Sequence, residues 1–160
     1  MASDEYQSPT ALARWILRES QFGSLATIGE GGYPYASLVG VAPLPDGSPV
    51  LLLSDLAKHT LNIRRDRKVS LLLAQKTQGD PLAAARLTVM GRIEEQDKNA
   101  VRARYLARHP EASKYAGFAD FGFWRIAIES GHLVATFGKI VSLKAEELLG
   151  LGALKWPQQG

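Results

Sequence analysis

From residue 24 to residue 54 the chain reads Ser24-Leu25-Ala26-Thr27-Ile28, Gly29-Glu30-Gly31-Gly32, Tyr35-Ala36-Ser37-Leu38-Val39-Gly40-Val41-Ala42, Pro43-Leu44-Pro45-Asp46-Gly47 and Val50-Leu51-Leu52-Leu53-Ser54. Three short β-prone runs set between clusters of glycine, proline and aspartate are strands joined by turns, and they predict an antiparallel meander. Upstream, Ser8 before Pro9 has the chemistry of a helix N-cap and first turn. Leu12, Trp15 and Ile16 recur at helical spacing, so a helix is predicted from Pro9 to Gln21 with Gly23 as its stop. Downstream, a short helix is predicted from His59 to Arg67. Val69–Ala74 is a solid apolar run that suits a strand buried on both faces. Thr77–Pro81 is a loop, and Arg86–Met90 alternates as a half-buried strand. A helix from Asp97 to His109, two strands at Phe123–Glu129 and His132–Phe137 around a Ser130-Gly131 turn, and a last helix from Lys144 to Leu149 complete the reading. Seven short strands with few intervening helices predict a mainly β, α+β fold, closed or partly closed into a barrel.

The length of 160 residues suits one domain spanning the chain, with an ordered core from about residue 8 to 150 and loose ends at Met1–Gln7 and Trp156–Gly160. Hydrophobic residues make up 46% and charged residues 22%, which predicts a folded globular chain rather than a disordered or fibrous one. No apolar run is long enough for a membrane helix, and the N-terminus lacks the regions of a signal peptide, so the expected location is the cytoplasm with no membrane partner. The absence of cysteine removes disulfides, thiolate metal sites and cysteine nucleophiles. A formal charge of +3 permits an anionic ligand and is too small to call for nucleic acid.

The sharpest local chemistry lies at Leu53-Ser54-Asp55-Leu56-Ala57-Lys58-His59-Thr60, where an apolar strand ends and a helix opens on a cation, an imidazole and a hydroxyl. Unpaired amides at a helix N-terminus favour an anion, and Lys58, His59 and Thr60 can surround a phosphate dianion. The same spacing equally suits Thr60 as a plain cap beside two solvated side chains. Arg86 and Thr88 share one face of their strand and can meet a second anionic or carbonyl group, or solvent. His59, His109 and His132 share no helical or hairpin spacing, so they do not read as a metal centre, although His132 alone can serve as an axial haem ligand. No Gly-x-Ser-x-Gly elbow is present, and Gly29-Glu30-Gly31-Gly32 lacks the ending of a phosphate loop.

Several motifs together resemble the pyridoxamine 5′-phosphate oxidase-like FMN-binding split barrels, in particular the branch of HugZ-type haem-utilisation proteins. They are Gly23–Thr27, Tyr33–Val39, Leu53–Asn62, Gly79–Leu82, Ala85–Thr88, Arg108–Ala112, Tyr115–Phe121 and Val134–Gly138. The resemblance implies a split barrel with peripheral helices, paired as a homodimer that binds FMN in two interfacial grooves. It places Ser37, Leu38 and Val39 along the flavin ring, Ser54 near the ring and ribityl chain, Lys58, His59 and Thr60 at the phosphate, and Arg86 and Thr88 on the neighbouring strand. Two departures stand out: Ser37–Ala42 lacks the arginine and lysine that the true oxidases present to the phosphate, and the C-terminus lacks their tryptophan and paired arginines. Vitamin B6 oxidation is therefore not expected. The leading expectation is an FMN-dependent oxidoreductase acting on a small molecule, with haem binding or degradation, using His132, and non-catalytic flavin carriage as the alternatives.

Overall fold

The computed structural model describes residues 8–136 and 138–150. The elements run α1 (Pro9–Glu19), β1 (Phe22–Ile28), β2 (Pro34–Gly40), β3 (Ala42–Pro43), β4 (Pro49–Ser54), α2 (Lys58–Arg65), β5 (Lys68–Ala74), β6 (Arg86–Gln96), α3 (Lys98–Arg108), β7 (Phe121–Thr136), β8 (Lys139–Lys144) and α4 (Ala145–Leu148), with 3-10 turns at Glu30–Gly32 and Pro110–Lys114. All strands join one antiparallel sheet in the order β2-β1-β5-β6-β7-β4-β3, with β8 also on β7. The predicted mainly β barrel with peripheral helices is the fold observed.

The meander breaks where the sequence predicted a continuous strand through Ala42. β2 ends at Gly40 as one edge of the sheet, while β3 and β4 pair with each other and β4 joins β7 at the opposite end. The two ends approach without a hydrogen-bonded ladder, which leaves a split in the barrel wall.

The inner face carries the main core, built from Leu25, Leu71, Leu73, Leu87, Val89, Trp124, Ile126 and Leu133 of the strands and Leu12, Ile16 and Leu17 of α1. A second cluster joins Val50, Leu52 and Phe123 to Val101 and Tyr105 of α3. The strand buried on both faces is therefore β4, with Leu51 and Leu53 inward and Leu52 under α3. β5, predicted to be doubly buried, alternates instead and turns Leu72 outward.

Local chemistry explains most element ends. Ser8 accepts from the Ala11 amide at 3.1 Å, and Asp97 caps α3 through the Asn99 amide at 3.0 Å. α1 stops two residues earlier than predicted because the Ser20 hydroxyl takes the Ile16 carbonyl at 2.6 Å. Gly23 is not that stop: it lies in β1, where a Cβ would come within 2.9 Å of the Leu72 carbonyl. The predicted Ser130-Gly131 hairpin is absent. β7 runs straight through it for 16 residues, with Glu129 left unpaired as a bulge between Ser130↔Met90 and Ile128↔Gly91. β8 was not predicted, because only Leu143 of its six residues is buried and no alternation marks it. Phe137, placed in a strand by the sequence, and both predicted loose ends lie outside the described residues. No helix among the described residues is long and apolar enough to cross a membrane.

Candidate functional site

Two regions collect the residues that the sequence singled out. The first is the turn between β4 and α2. Burial of β4 on both sides fixes the turn, and the Asp55 amide is held by the Asp120 carbonyl at 2.6 Å. The Leu56 amide donates to Ser54 Oγ at 3.2 Å, and α2 begins behind Ala57, which offers no side-chain cap. Thr60 is fully buried, and its hydroxyl donates to the Ser54 carbonyl at 2.5 Å. That hydroxyl is thus committed to closing the turn. Lys58 is exposed. His59 Nδ1 lies 3.0 Å from Ser37 Oγ and ties α2 to β2 across the split, while its Nε2 is buried with no partner. Burial holds the His59 imidazole below the ordinary histidine range, which favours the neutral ring.

A groove of about 290 Å³ follows the split, lined by Leu38, Val39, Ser54 and His59 on one side and by Tyr105, His109, Glu111, Tyr115 and Phe121 on the other. The second wall was visible in the sequence only as motif. His109 is buried, with Nε2 at 2.9 Å from the Val41 carbonyl and its ring stacked on Tyr105 at 4.7 Å. Burial pushes the Tyr105 phenol well above its usual range, so it stays a neutral donor. Aromatic residues at this spacing read as core from sequence alone, and the 3-10 turn after α3 is what brings them to the split.

The second region is the outer face of the sheet. Side by side in register lie Leu38, Ser24, Leu72, Thr88, His132 and Ser142, one from each of β2, β1, β5, β6, β7 and β8. The next row is Ala36, Ala26, Ser70, Met90 and Ser130, ending at Lys144. Up to Ser130 and Ser142 neither row contains a charge. Leu38 is 76% exposed, Leu72 41% and Met90 40%. A contiguous uncharged surface with exposed Leu38, Leu72 and Met90 is of the kind that marks a binding face. Sequence reasoning nominated Leu38, Thr88 and His132 separately and missed the rest, because small and apolar residues alternating along strands signal only a pleat.

Arg86 and Thr88 do not reach the groove within one chain. β1 and β5 stand between β6 and β2, which sets them roughly 14 Å away at about 4.8 Å per strand. The Arg86 guanidinium holds the carbonyls of Leu82 at 2.8 Å and Ala84 at 3.4 Å, closing its own loop. For the phosphate of FMN, then, Lys58 is the one uncommitted cation at the turn among the described residues, with no basic residue on β2 to assist it. For a planar apolar macrocycle the outer face offers breadth, neutrality and an imidazole.

A curled antiparallel sheet, split between β2 and β4 and bridged there by a helix N-terminus, defines a split barrel of the pyridoxamine 5′-phosphate oxidase-like type. The chain belongs to the CREG β-barrel family, whose model matches residues 4–149. It is 40% identical over 124 residues to the chloroplastic haem oxygenase HOZ of Arabidopsis thaliana, covering 74% of this chain and 38% of the relative, so it spans well under half of that protein. A haem-binding protein from Mycobacterium smegmatis superposes with a TM-score of 0.84 at 32% identity, over 89% of this chain and 60% of that one. A pyridoxine phosphate oxidase family protein from Clostridium acetobutylicum superposes at 0.67 with 16% identity, over 87% and 96% of the two chains, a likeness of fold alone.

Proposed function

We propose that the protein binds haem on the outer sheet face, with His132 as axial ligand and a second copy of the chain closing over it. The observation that carries this reading is the uncharged row from Leu38 to His132, with the imidazole half-buried between Thr88 and Ser142. Four adjacent strands span about 14 Å, broad enough for a flat macrocycle to lie on them. The His132 imidazole would hold the iron through a ring nitrogen, and the surrounding side chains would exclude water and set the polarity around it. Exposed Leu38, Leu72 and Phe22 would be buried by a partner chain, which supports a homodimer. The haem names of two relatives point the same way.

Titrating the purified protein with ferric haem tests the reading. The expected result is a saturable Soret band at one haem per chain, shifted or lost in His132→Ala, with a dimer on size exclusion. Absence of any Soret change in the parent protein overturns it.

A second reading, an FMN-dependent oxidoreductase, rests on a different observation: the unpartnered Nε2 of His59 beside exposed Lys58 at the split. FMN bound there would supply hydride or single-electron transfer, and Lys58 and His59 would hold its phosphate. Yellow protein on purification, with FMN affinity weakened in Lys58→Ala and His59→Ala, is the result that favours it over haem.

A further inference from the structure

The outer face loses its neutrality at one end. Lys68 of β5 and Arg92 of β6 are register partners, both exposed, and both follow the outward alternation of Ser70, Leu72, Met90 and Thr88. Like charges directly opposite on one face repel across about 5 Å, so such a pair is ordinarily offset by a carboxylate. Among the described residues neither side chain enters an ion pair: Glu94 is engaged with Arg125 at 3.4 Å and Glu95 with Arg64 at 3.9 Å, and Glu129 of β7, which lines the same hollow as Lys68, forms no ion pair with either cation. Two cations without an ion pair therefore stand together at the rim of the outer face, with Glu129 as the acid near them.

A hollow of about 390 Å³ opens beside them over Ala26, Ser70 and Met90, with Lys68 at its edge and Glu129 as the acid in its lining. Gly91 makes the bulge behind this hollow possible, because a Cβ there would collide with the Ala127 carbonyl. From the Lys68–Arg92 pair to the row of His132 is four residues along the strands, about 13 Å between backbones. Extended lysine and arginine side chains shorten that gap by several ångströms. The layout is a surface of small, hydroxyl and apolar side chains with an imidazole near one end and paired cations at the other, complementary to a flat ligand that carries two carboxylates on one edge.

We propose that Lys68 and Arg92 clamp the two propionate groups of the haem whose iron is held at His132, and so fix its orientation on the sheet. The proposal rests on the haem reading above. Arg92 offers the planar fork that matches a carboxylate, and Lys68 a mobile point charge; each relieves the repulsion on the other once the anions arrive.

The test uses the full chain, ferric protoporphyrin IX and its dimethyl ester, with binding followed at the Soret band and by quenching of tryptophan fluorescence. For Lys68→Ala/Arg92→Ala the free acid is expected to bind about ten- to a hundredfold more weakly. The Soret wavelength should stay unchanged because the axial ligand remains, and Lys68→Arg alone should retain most of the affinity. The dimethyl ester should bind parent and double variant alike, since it has no charge to clamp. Equal affinity of parent and double variant for the free acid overturns the clamp while leaving haem binding at His132 in place, as does an equal loss for acid and ester. No Soret response from the parent protein removes the haem reading and the clamp with it.

Discussion

The turn at Ser54–Thr60 and the outer face of β1, β5, β6 and β7 are opposites. The turn concentrates a cation, an imidazole and two hydroxyls in seven residues, yet the fold uses most of them internally: Thr60 on the Ser54 carbonyl, Ser54 Oγ on the Leu56 amide, His59 on Ser37. The outer face has almost no chemistry per residue, and yet its serines, alanines, Leu72, Met90 and His132 form one continuous surface on which Leu72 and Met90 stay exposed among the described residues. Local density of polar groups measures how much chemistry a segment can make, not how much is left over. What a ligand can use is what remains unpaired after folding.

That contrast makes changes on the face alter binding and association, and changes at the turn alter stability. The largest effect is expected from Leu72→Asp, which sets an unpaired carboxylate beside Thr88 and His132. Burying such a charge costs several kcal/mol, so haem affinity should fall more than a hundredfold and size exclusion should show a monomer with an unchanged circular dichroism spectrum. An L72D variant that still dimerises and binds haem would end the argument for the face. Gly91→Ala should follow, destabilising by about 2–3 kcal/mol in urea denaturation, because its new methyl has no room against Ala127 and the bulge must shift.

At the turn, Thr60→Val removes the hydroxyl donor to the Ser54 carbonyl, which retains the longer bond from the Ala57 amide at 3.2 Å. The expected loss is about 1–2 kcal/mol of stability with haem affinity unchanged. A weakened Soret titration in that variant would join the two regions and blur the contrast. The smallest effect is the pH dependence of His59. Its folded pKa is lowered by burial, so the unfolded chain takes up the proton more readily. Stability should be complete above about pH 6.5 and decline as pH falls through that value, levelling off below the folded pKa. The parent-minus-His59→Gln difference in urea midpoint at pH 8, 6.5 and 5 isolates this contribution; it should fall toward acid pH, and a difference that grows toward acid pH contradicts the sign.

Much of the architecture was legible residue by residue. Ser8 announced α1 through capping chemistry that acts within three residues, and the alanine-, leucine- and arginine-rich run before Pro110 announced α3. The strand that both faces bury was harder to find: the run Val69–Ala74 and the run Val50–Leu53 look alike as composition, and only the position of α3 makes the second one core on both sides. Ser130-Gly131 has turn chemistry, but the β6 ladder runs past it in both directions and the β8 ladder pairs with both residues, ending at Ser130↔Lys144, so the strand stays straight while Glu129 is expelled as a bulge. Of the nominated site residues, Ser37, Leu38, Val39, Ser54 and His59 meet around the split, whereas Arg86 stays on its own loop.

The order of apolar, small and turn-forming residues along the chain by itself determined a β-rich barrel with capped helices, because those preferences are decided by sterics and hydrogen bonds between near neighbours in sequence. Only the tertiary structure decided where the barrel splits, which polar groups remain unpaired, and that Leu38, Leu72, Thr88 and His132 share one surface with Lys68 and Arg92 at its end. Register between strands distant in sequence sets those neighbours, and it follows from how the whole sheet buries its inner face at once.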